Sequence, residues 1–561
     1  MVAPVAPLIE RTGEAYAYPL LIKQLLHAPL SHSAEQQIVY RDQRRHSYRE
    51  FHQRVQRLAN ALARLGVTAG DTVAMMDWDS HRYLEAYFAV PMMGATLMTV
   101  NVRLSPEQIQ YTLQHCAAKV VLVNGEFAAV LQDLRAELPD VQALVLINDE
   151  AAAPATTLQF AGEYEALLDA APAAFAFPDF DENTRATIFY TTGTTGLPKG
   201  VSFSHRQLVL HTLAEMAFFA ASAPGQCFRR DDVYMPITPM FHVHAWGLPY
   251  VATAMGVKQV YPGRYEPDKL IALRQREGVT FSHCVPTILQ MILASKAASS
   301  DALKGWKMVI GGSALPRALA QAALERGIDV WAGYGMSETC PLLSTAQLKP
   351  EATGDDVEAA LARRVKSGLR PPLVDIRIVD DEMNELPADG RSAGEIVVRA
   401  PWLAQAYHRN PEASKALWHG GWLHTQDIGS IDPAGYLQIT DRLKDVIKSG
   451  GEWVSSLELE DLIMQLPQVA EVAVFAIRHE KWGERPMALV VPRAGHAEAL
   501  SPELRPELTP ELVKQHVSRA AAAGRIGKIA VPERVLVVPT IEKTSVGKIN
   551  KRLLRERHDP G

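Results

Sequence analysis

The sequence predicts an α/β protein of more than one domain, and three observations carry that expectation. The chain is 561 residues long, more than one hydrophobic core usually supports. From residue 38 to 147, stretches with apolar residues at helical spacing, such as 48–65, alternate with short apolar runs such as 72–76 and 119–123. That alternation is the signature of helices layered on a sheet. Finally, the stretch Tyr190-Thr191-Thr192-Gly193-Thr194-Thr195-Gly196-Leu197-Pro198-Lys199-Gly200 sits between the apolar run 186–189 and an apolar segment from Leu208. It reads as a strand, a loop of hydroxyls and glycines, and a helix, an arrangement that offers donors to phosphate oxygens.

Taken in order, the N-terminal residues 1–30 mix Glu10, Arg11, Glu14 and Lys23 into their apolar residues, which gives neither a signal-peptide core nor a membrane span. Residues 150–180 are rich in Ala and Pro and read as loops before the phosphate segment. The loop itself is not a Walker loop: counting from Gly193 puts Pro198 where the second glycine belongs, and Gly200 follows Lys199. A helical stretch, 207–219, leads to Asp231 and a run broken by Pro236 and Pro239 that ends in Phe241-His242-Val243-His244-Ala245-Trp246. Two imidazoles so spaced could ligate a metal, but apolar neighbours and the lack of a nearby carboxylate argue against it. Residues 309–314 and 330–339 read as strands ending in glycines, Gly311-Gly312 and Gly333, where a planar ring can approach the backbone and Tyr334 offers a stacking face. Residues 394–398 and 421–429 suggest a small β-rich lobe. Further strand-like runs, 472–477 and 488–491, lie before a basic C-terminal segment, 548–557.

Composition bounds the function. With 47% apolar and 21% charged residues the chain is an ordinary globular protein, and a net charge of −6 argues against a general nucleic-acid binder. Cys116, Cys227, Cys284 and Cys340 are far apart with no CxxC spacing, which suits a reducing compartment, and the expected location is the cytoplasm. Peripheral membrane contact stays open.

Together these stretches resemble the adenylate-forming superfamily of acyl-CoA synthetases, luciferases and peptide-synthetase adenylation domains. The resemblance runs from about Val39 to Arg557. It implies a large multi-lobed N-terminal domain (1–440) with α/β layers and the β-rich lobe, a hinge (441–446), and a small mobile α+β lid (447–561). It also implies ATP and coenzyme A as co-substrates with Mg²⁺ as cofactor. Thr191, Thr192, Gly193, Thr194, Thr195, Gly196 and Lys199 then correspond to the phosphate loop, and Gly311, Gly312, Ala332, Gly333, Tyr334, Ser337 and Thr339 to the adenine segments. Glu338 matches the magnesium carboxylate with Thr191 as its hydroxyl partner. Asp427 and Arg442 match the ribose contacts, Lys444 the hinge, and Lys548, in a Thr-x-x-Gly-Lys stretch, the adenylation lysine. Gly450-Gly451 would line the pantetheine path, and Lys448 and Trp453 would contact nucleotide or CoA. His242 and Trp246 fall beside the acyl pocket, where fatty acyl-CoA synthetases have a gating tryptophan. The chain departs from the family at Gln426, where Thr-Gly-Asp is usual; if that glycine serves a positive φ, Gln426 should be strained.

The implied chemistry is the activation of a carboxylate. Its oxygen is too poor a leaving group for attack by a thiol, and conversion to an acyl-AMP anhydride solves this at the cost of stabilising charge as pyrophosphate leaves. The resemblance points to a medium- to long-chain fatty acid, with a short, sulfur-containing or aromatic acid as the alternative. A silent acyl-sensing protein is opposed by the joint presence of Glu338, Lys199 and Lys548, and a P-loop ATPase or kinase by the glycine spacing. Relatives of this type often form homodimers.

Overall fold

The computed structural model describes residues 8–150, 152, 154–191, 197–350, 356–449, 452–493, 508–543 and 549–559. Among them the strands form four sheets. One has seven strands in the order Gly162–Glu163, Ala143–Ile147, Ala118–Asn124, Thr72–Met76, Thr96–Thr99, Arg185–Tyr190 and Gly200–Ser204. Its strands are parallel except for the last pair. A second has eight strands, in the order Leu342–Thr345, Ile328–Gly335, Trp306–Ile310, Phe281–Cys284, Val233–Pro236, Lys258–Tyr261, Gln37–Tyr40 and Arg44–Ser47. It too is parallel inside and antiparallel at both edges. The central strand Thr72–Met76 is buried at every position, as a strand covered on both faces by helices must be.

The helix Tyr48–Arg64 shows how locally the elements are specified. Ser47 accepts from the Glu50 backbone N–H while the Glu50 carboxylate accepts from the Ser47 N–H, a reciprocal cap. Tyr48, Phe51, Val55, Leu58 and Leu62 then form one buried stripe. Helix His81–Met92 is buried along its whole length and carries charges into the interior. Arg54 pairs with Glu85 at 2.6 Å and Glu165 at 2.8 Å, and Arg82 pairs with Glu165 and Asp149 at 2.9 Å. Burial pushes the Glu85 carboxyl up, but Arg54 and His81 outweigh it and hold it below its ordinary value. Removing one partner leaves a buried charge uncompensated, so Glu85→Ala is expected to cost about 3–5 kcal/mol. A urea midpoint unchanged from the parent protein would show the network to be dispensable.

A third, antiparallel sheet contains Asp375–Val379, Gly394–Arg399, Trp422–Ile431, Trp418–His419 and Leu437–Arg442. The chain passes from it through a turn at residues 443–446 into a fourth sheet, built from Glu452–Val454, Ile447–Ser449, Gly483–Pro492, Val469–His479 and Arg534–Val537. Helices Ser456–Met464, Pro510–Ala522 and Lys551–His558 belong to this C-terminal part. It touches the rest of the chain where the Ser456 N–H donates to Asp441 at 2.7 Å and the Arg317 N–H to Asp461 at 3.2 Å.

Candidate active site

The phosphate segment is not strand, loop and helix as expected. Gly200–Ser204 is a strand that pairs antiparallel with Arg185–Tyr190, Tyr190 facing Gly200. The helix His205–Ala220 begins only after it, capped by Ser204. The segment thus joins two antiparallel strands, and the helix follows only after the second of them. Thr192, Gly193, Thr194, Thr195 and Gly196 lie outside the described residues, as do Gly450, Gly451 and Lys548. At the edge of the loop the Thr191 N–H donates to the Lys199 carbonyl at 2.9 Å and the Lys199 N–H to Thr191 Oγ1 at 3.4 Å.

Sequence reasoning missed Tyr407. Its backbone pairs with Val201 in an isolated bridge, its hydroxyl donates to Glu338 Oε1 at 2.6 Å, and Lys199 Nζ stands 4.8 Å from its ring centroid. One phenol therefore links the lysine of the loop to the carboxylate of the segment after strand Ile328–Gly335. Glu338 is 7% exposed, and burial raises its carboxyl above the ordinary value against the opposing pull of Tyr407 and Lys199. Thr339 is fully buried, its hydroxyl shared with Met336 and Pro341. It props the short turn Ser337–Thr339 that presents Glu338.

Strands Trp306–Ile310 and Ile328–Gly335 run side by side with Ile310 opposite Ala332, so Gly311, Gly312, Ala332, Gly333 and Tyr334 collect at one end of the sheet. A methyl group at Gly311 would stand 3.0 Å from both the Trp246 ring and the Gly333 carbonyl, so that position has no room for a side chain. The Tyr334 hydroxyl donates to Asp427 Oδ2 at 2.8 Å, and Arg442 Nε lies 3.6 Å from Asp427 Oδ1. The adenine and ribose candidates therefore converge. Gln426 has φ +59°, the left-handed conformation anticipated for this position. Its N–H is held by Glu395 at 3.1 Å and its carbonyl by the Leu443 N–H at 2.9 Å. Lys444 follows in the turn, where burial lowers its ammonium. Lys448 lies in strand Ile447–Ser449 with its N–H on Glu484, and Trp453 pairs with it from the neighbouring strand.

The acyl-side segment has an unexpected backbone. Val243, His244, Ala245, Trp246 and Gly247 take φ of 48°, 56°, 48°, 59° and 76° in succession, a turn of left-handed helix. For non-glycine residues this costs about 1–2 kcal/mol each. His242 precedes the turn, half-buried. His244 is fully buried among Tyr87, Phe189, Phe203 and Tyr250, with neither ring nitrogen hydrogen-bonded. Burial pushes its imidazole down to about 3. It stays neutral, and among the described residues no cluster of three His, Cys, Asp or Glu could hold a metal. Trp246 is 7% exposed and tilts against His283 at 5.0 Å.

Lys199, Tyr407 and Glu338 are thus linked, and Tyr334 and Asp427 are paired, by contacts that join side chains distant in sequence. The chain belongs to the AMP-binding enzymes: that family's model matches residues 27–408 and the model of its C-terminal domain matches 458–548. It is similar to the long-chain-fatty-acid–CoA ligase of Thermus thermophilus, 42% identical over 92% of this chain and 90% of the relative. The 3-methylmercaptopropionyl-CoA ligase of Ruegeria pomeroyi is 36% identical over 89% of each. Among solved structures, ATP-bound MatB from Rhodopseudomonas palustris aligns with a TM-score of 0.80 at 25% identity, over 96% of this chain and 99% of that one.

Proposed function

We infer that the chain is an AMP-forming acyl-CoA synthetase that converts a fatty acid of medium to long chain into acyl-AMP and then into its CoA thioester. The observation that carries the reading is the Lys199, Tyr407 and Glu338 linkage standing with the Tyr334 and Asp427 pair. Asp427 accepts the ribose hydroxyls, the glycine strand ends receive adenine beside Tyr334, and Lys199 with the loop hydroxyls holds the β- and γ-phosphates. Tyr407 keeps Glu338 oriented toward them. One carboxylate and one hydroxyl cannot cage an ion alone, but Glu338 and Thr191 fit a Mg²⁺ that arrives on ATP with its own phosphate and water ligands. Bound there, it would neutralise phosphate charge. The role of bridging the attacking carboxylate and the α-phosphate is assigned to Lys548 from its Thr-x-x-Gly-Lys motif, and no general base is needed because the acid is already ionised. Gly450 and Gly451, with Lys448 and Trp453, are assigned to the CoA path by their motif.

The apolar surroundings of Trp246 and the Thermus relative support a fatty acid. The Ruegeria relative supports a second reading, a short sulfur-containing acid. Four free, buried cysteines support a reducing compartment such as the cytoplasm. Among the described residues no helix is long and apolar enough to cross a membrane. Pyrophosphate release across a panel of acids, with and without CoA, tests the proposal. Turnover is expected to rise with chain length and to require an acid; equal release with no acid present would end the ligase reading.

A further inference from the structure

We propose that Asp79 is a positioning residue that sets acyl selectivity by latching the left-handed turn which carries Trp246. The inference rests on the reading of His242 and Trp246 as the wall of the acyl pocket. Left-handed residues other than glycine persist only where the surrounding structure fixes them from outside, so the question is what holds the two ends of the turn. At its far end Gly247 abuts His211, since a methyl group there would come within 2.8 Å of the His211 ring, and helix Leu248–Met255 starts immediately.

The near end is held by the other sheet. Asp79, 3% exposed just past strand Thr72–Met76, accepts from the Met240 N–H at 2.8 Å through one carboxylate oxygen and from the Tyr265 hydroxyl at 2.5 Å through the other. The Tyr87 hydroxyl donates to the Met240 carbonyl, and Thr99 Oγ1 donates to the Phe241 carbonyl at 2.9 Å. The backbone just before His242 is therefore clamped by side chains from the seven-stranded sheet and its covering helix. The turn that follows presses Trp246 onto Gly311 at the end of the eight-stranded sheet. Released at the near end, the turn is free to relax out of the left-handed region and Trp246 loses its stop. Asp79 touches no substrate in this scheme; it acts through Met240.

Steady-state kinetics on a short and a long fatty acid separate the outcomes. Asp79→Ala is expected to shift the long-to-short ratio of kcat/KM by about tenfold or more, the order that small misplacements produce, through the KM for the acid, with the KM for ATP unmoved. Asp79→Asn keeps an acceptor for the Met240 N–H and is expected to restore the parent ratio. Thr99→Val removes only the hydroxyl grip on Phe241 and is expected to move the ratio in the same direction by less, which keeps the test decisive if Asp79→Ala does not fold. Trp246→Ala serves as the reference. If it shifts the ratio while Asp79→Ala and Thr99→Val lower only thermal stability or change all acids alike, the latch is overturned and the pocket stands. If Trp246→Ala leaves the ratio flat, the pocket reading fails and the latch with it.

Discussion

Replacement of Lys548 by alanine is expected to lower acyl-adenylate formation by on the order of 10²-fold or more while sparing thioester formation from supplied acyl-AMP. The first step brings a carboxylate against an α-phosphate, two anions, and a cation between them is worth most as the bond forms. The second step attacks an anhydride already made and needs no charge at that point. Neighbouring lysines cannot stand in. Lys543 pairs with Glu471 at 2.8 Å, and Lys551 pairs with Glu460 at 2.7 Å while its ammonium also donates to Ser456. Pyrophosphate release measures the first half-reaction, and CoA consumption with synthetic acyl-AMP the second. An equal loss in both would remove Lys548 from the role proposed for it.

What was legible in the sequence is what is written locally. The apolar run at 72–76 is the buried strand Thr72–Met76, and the capped periodic stretch from 48 is the helix Tyr48–Arg64. The positive φ of Gln426 was also foreseeable, because the neighbouring motif fixes the turn whatever residue occupies it. Gly200–Ser204 goes unread as a strand: its alternation of Val201, Ser202, Phe203 and Ser204 is too short to stand out beside the hydroxyl and glycine loop, and its partner Arg185–Tyr190 lies across that loop. Tyr407 was out of reach because it meets Glu338 across 69 positions of sequence, and no spacing rule joins a phenol in a loop to a carboxylate after a distant strand. The left-handed turn was hidden for a stronger reason. Val, His, Ala and Trp have no preference for that conformation, so it is imposed by tertiary anchors that individual residues do not announce.

Proline at Lys444 is expected to uncouple the two half-reactions by about tenfold or more. We propose that residues 441–446 are the hinge on which the C-terminal part turns, so that one site can present Lys548 first and the glycines of the CoA path second. The turn is compact: the Asp445 and Val446 N–H groups both donate to the Arg442 carbonyl at 2.8 Å. Arg555 from the C-terminal helix holds it, donating to the Lys444 carbonyl at 2.9 Å and pairing with Asp445. Bonds of three- and four-residue span from one carbonyl require helical dihedrals at Leu443 and Lys444. A proline at 444 clashes with that conformation at the preceding residue and drives Leu443 toward extended backbone. Leu443 is tied by its N–H to the Gln426 carbonyl, so the shift also pulls on the strained residue beside Asp427. The substitution therefore penalises one setting of the hinge and spares the other. We expect the half-reaction that uses the compact turn to fall and the other to persist. Stopped-flow measurement of pyrophosphate release and of CoA consumption from acyl-AMP reads the two rates separately. Parent rates in both half-reactions would place the hinge elsewhere, and an equal fall in both would mark the turn as a structural joint that does not rotate.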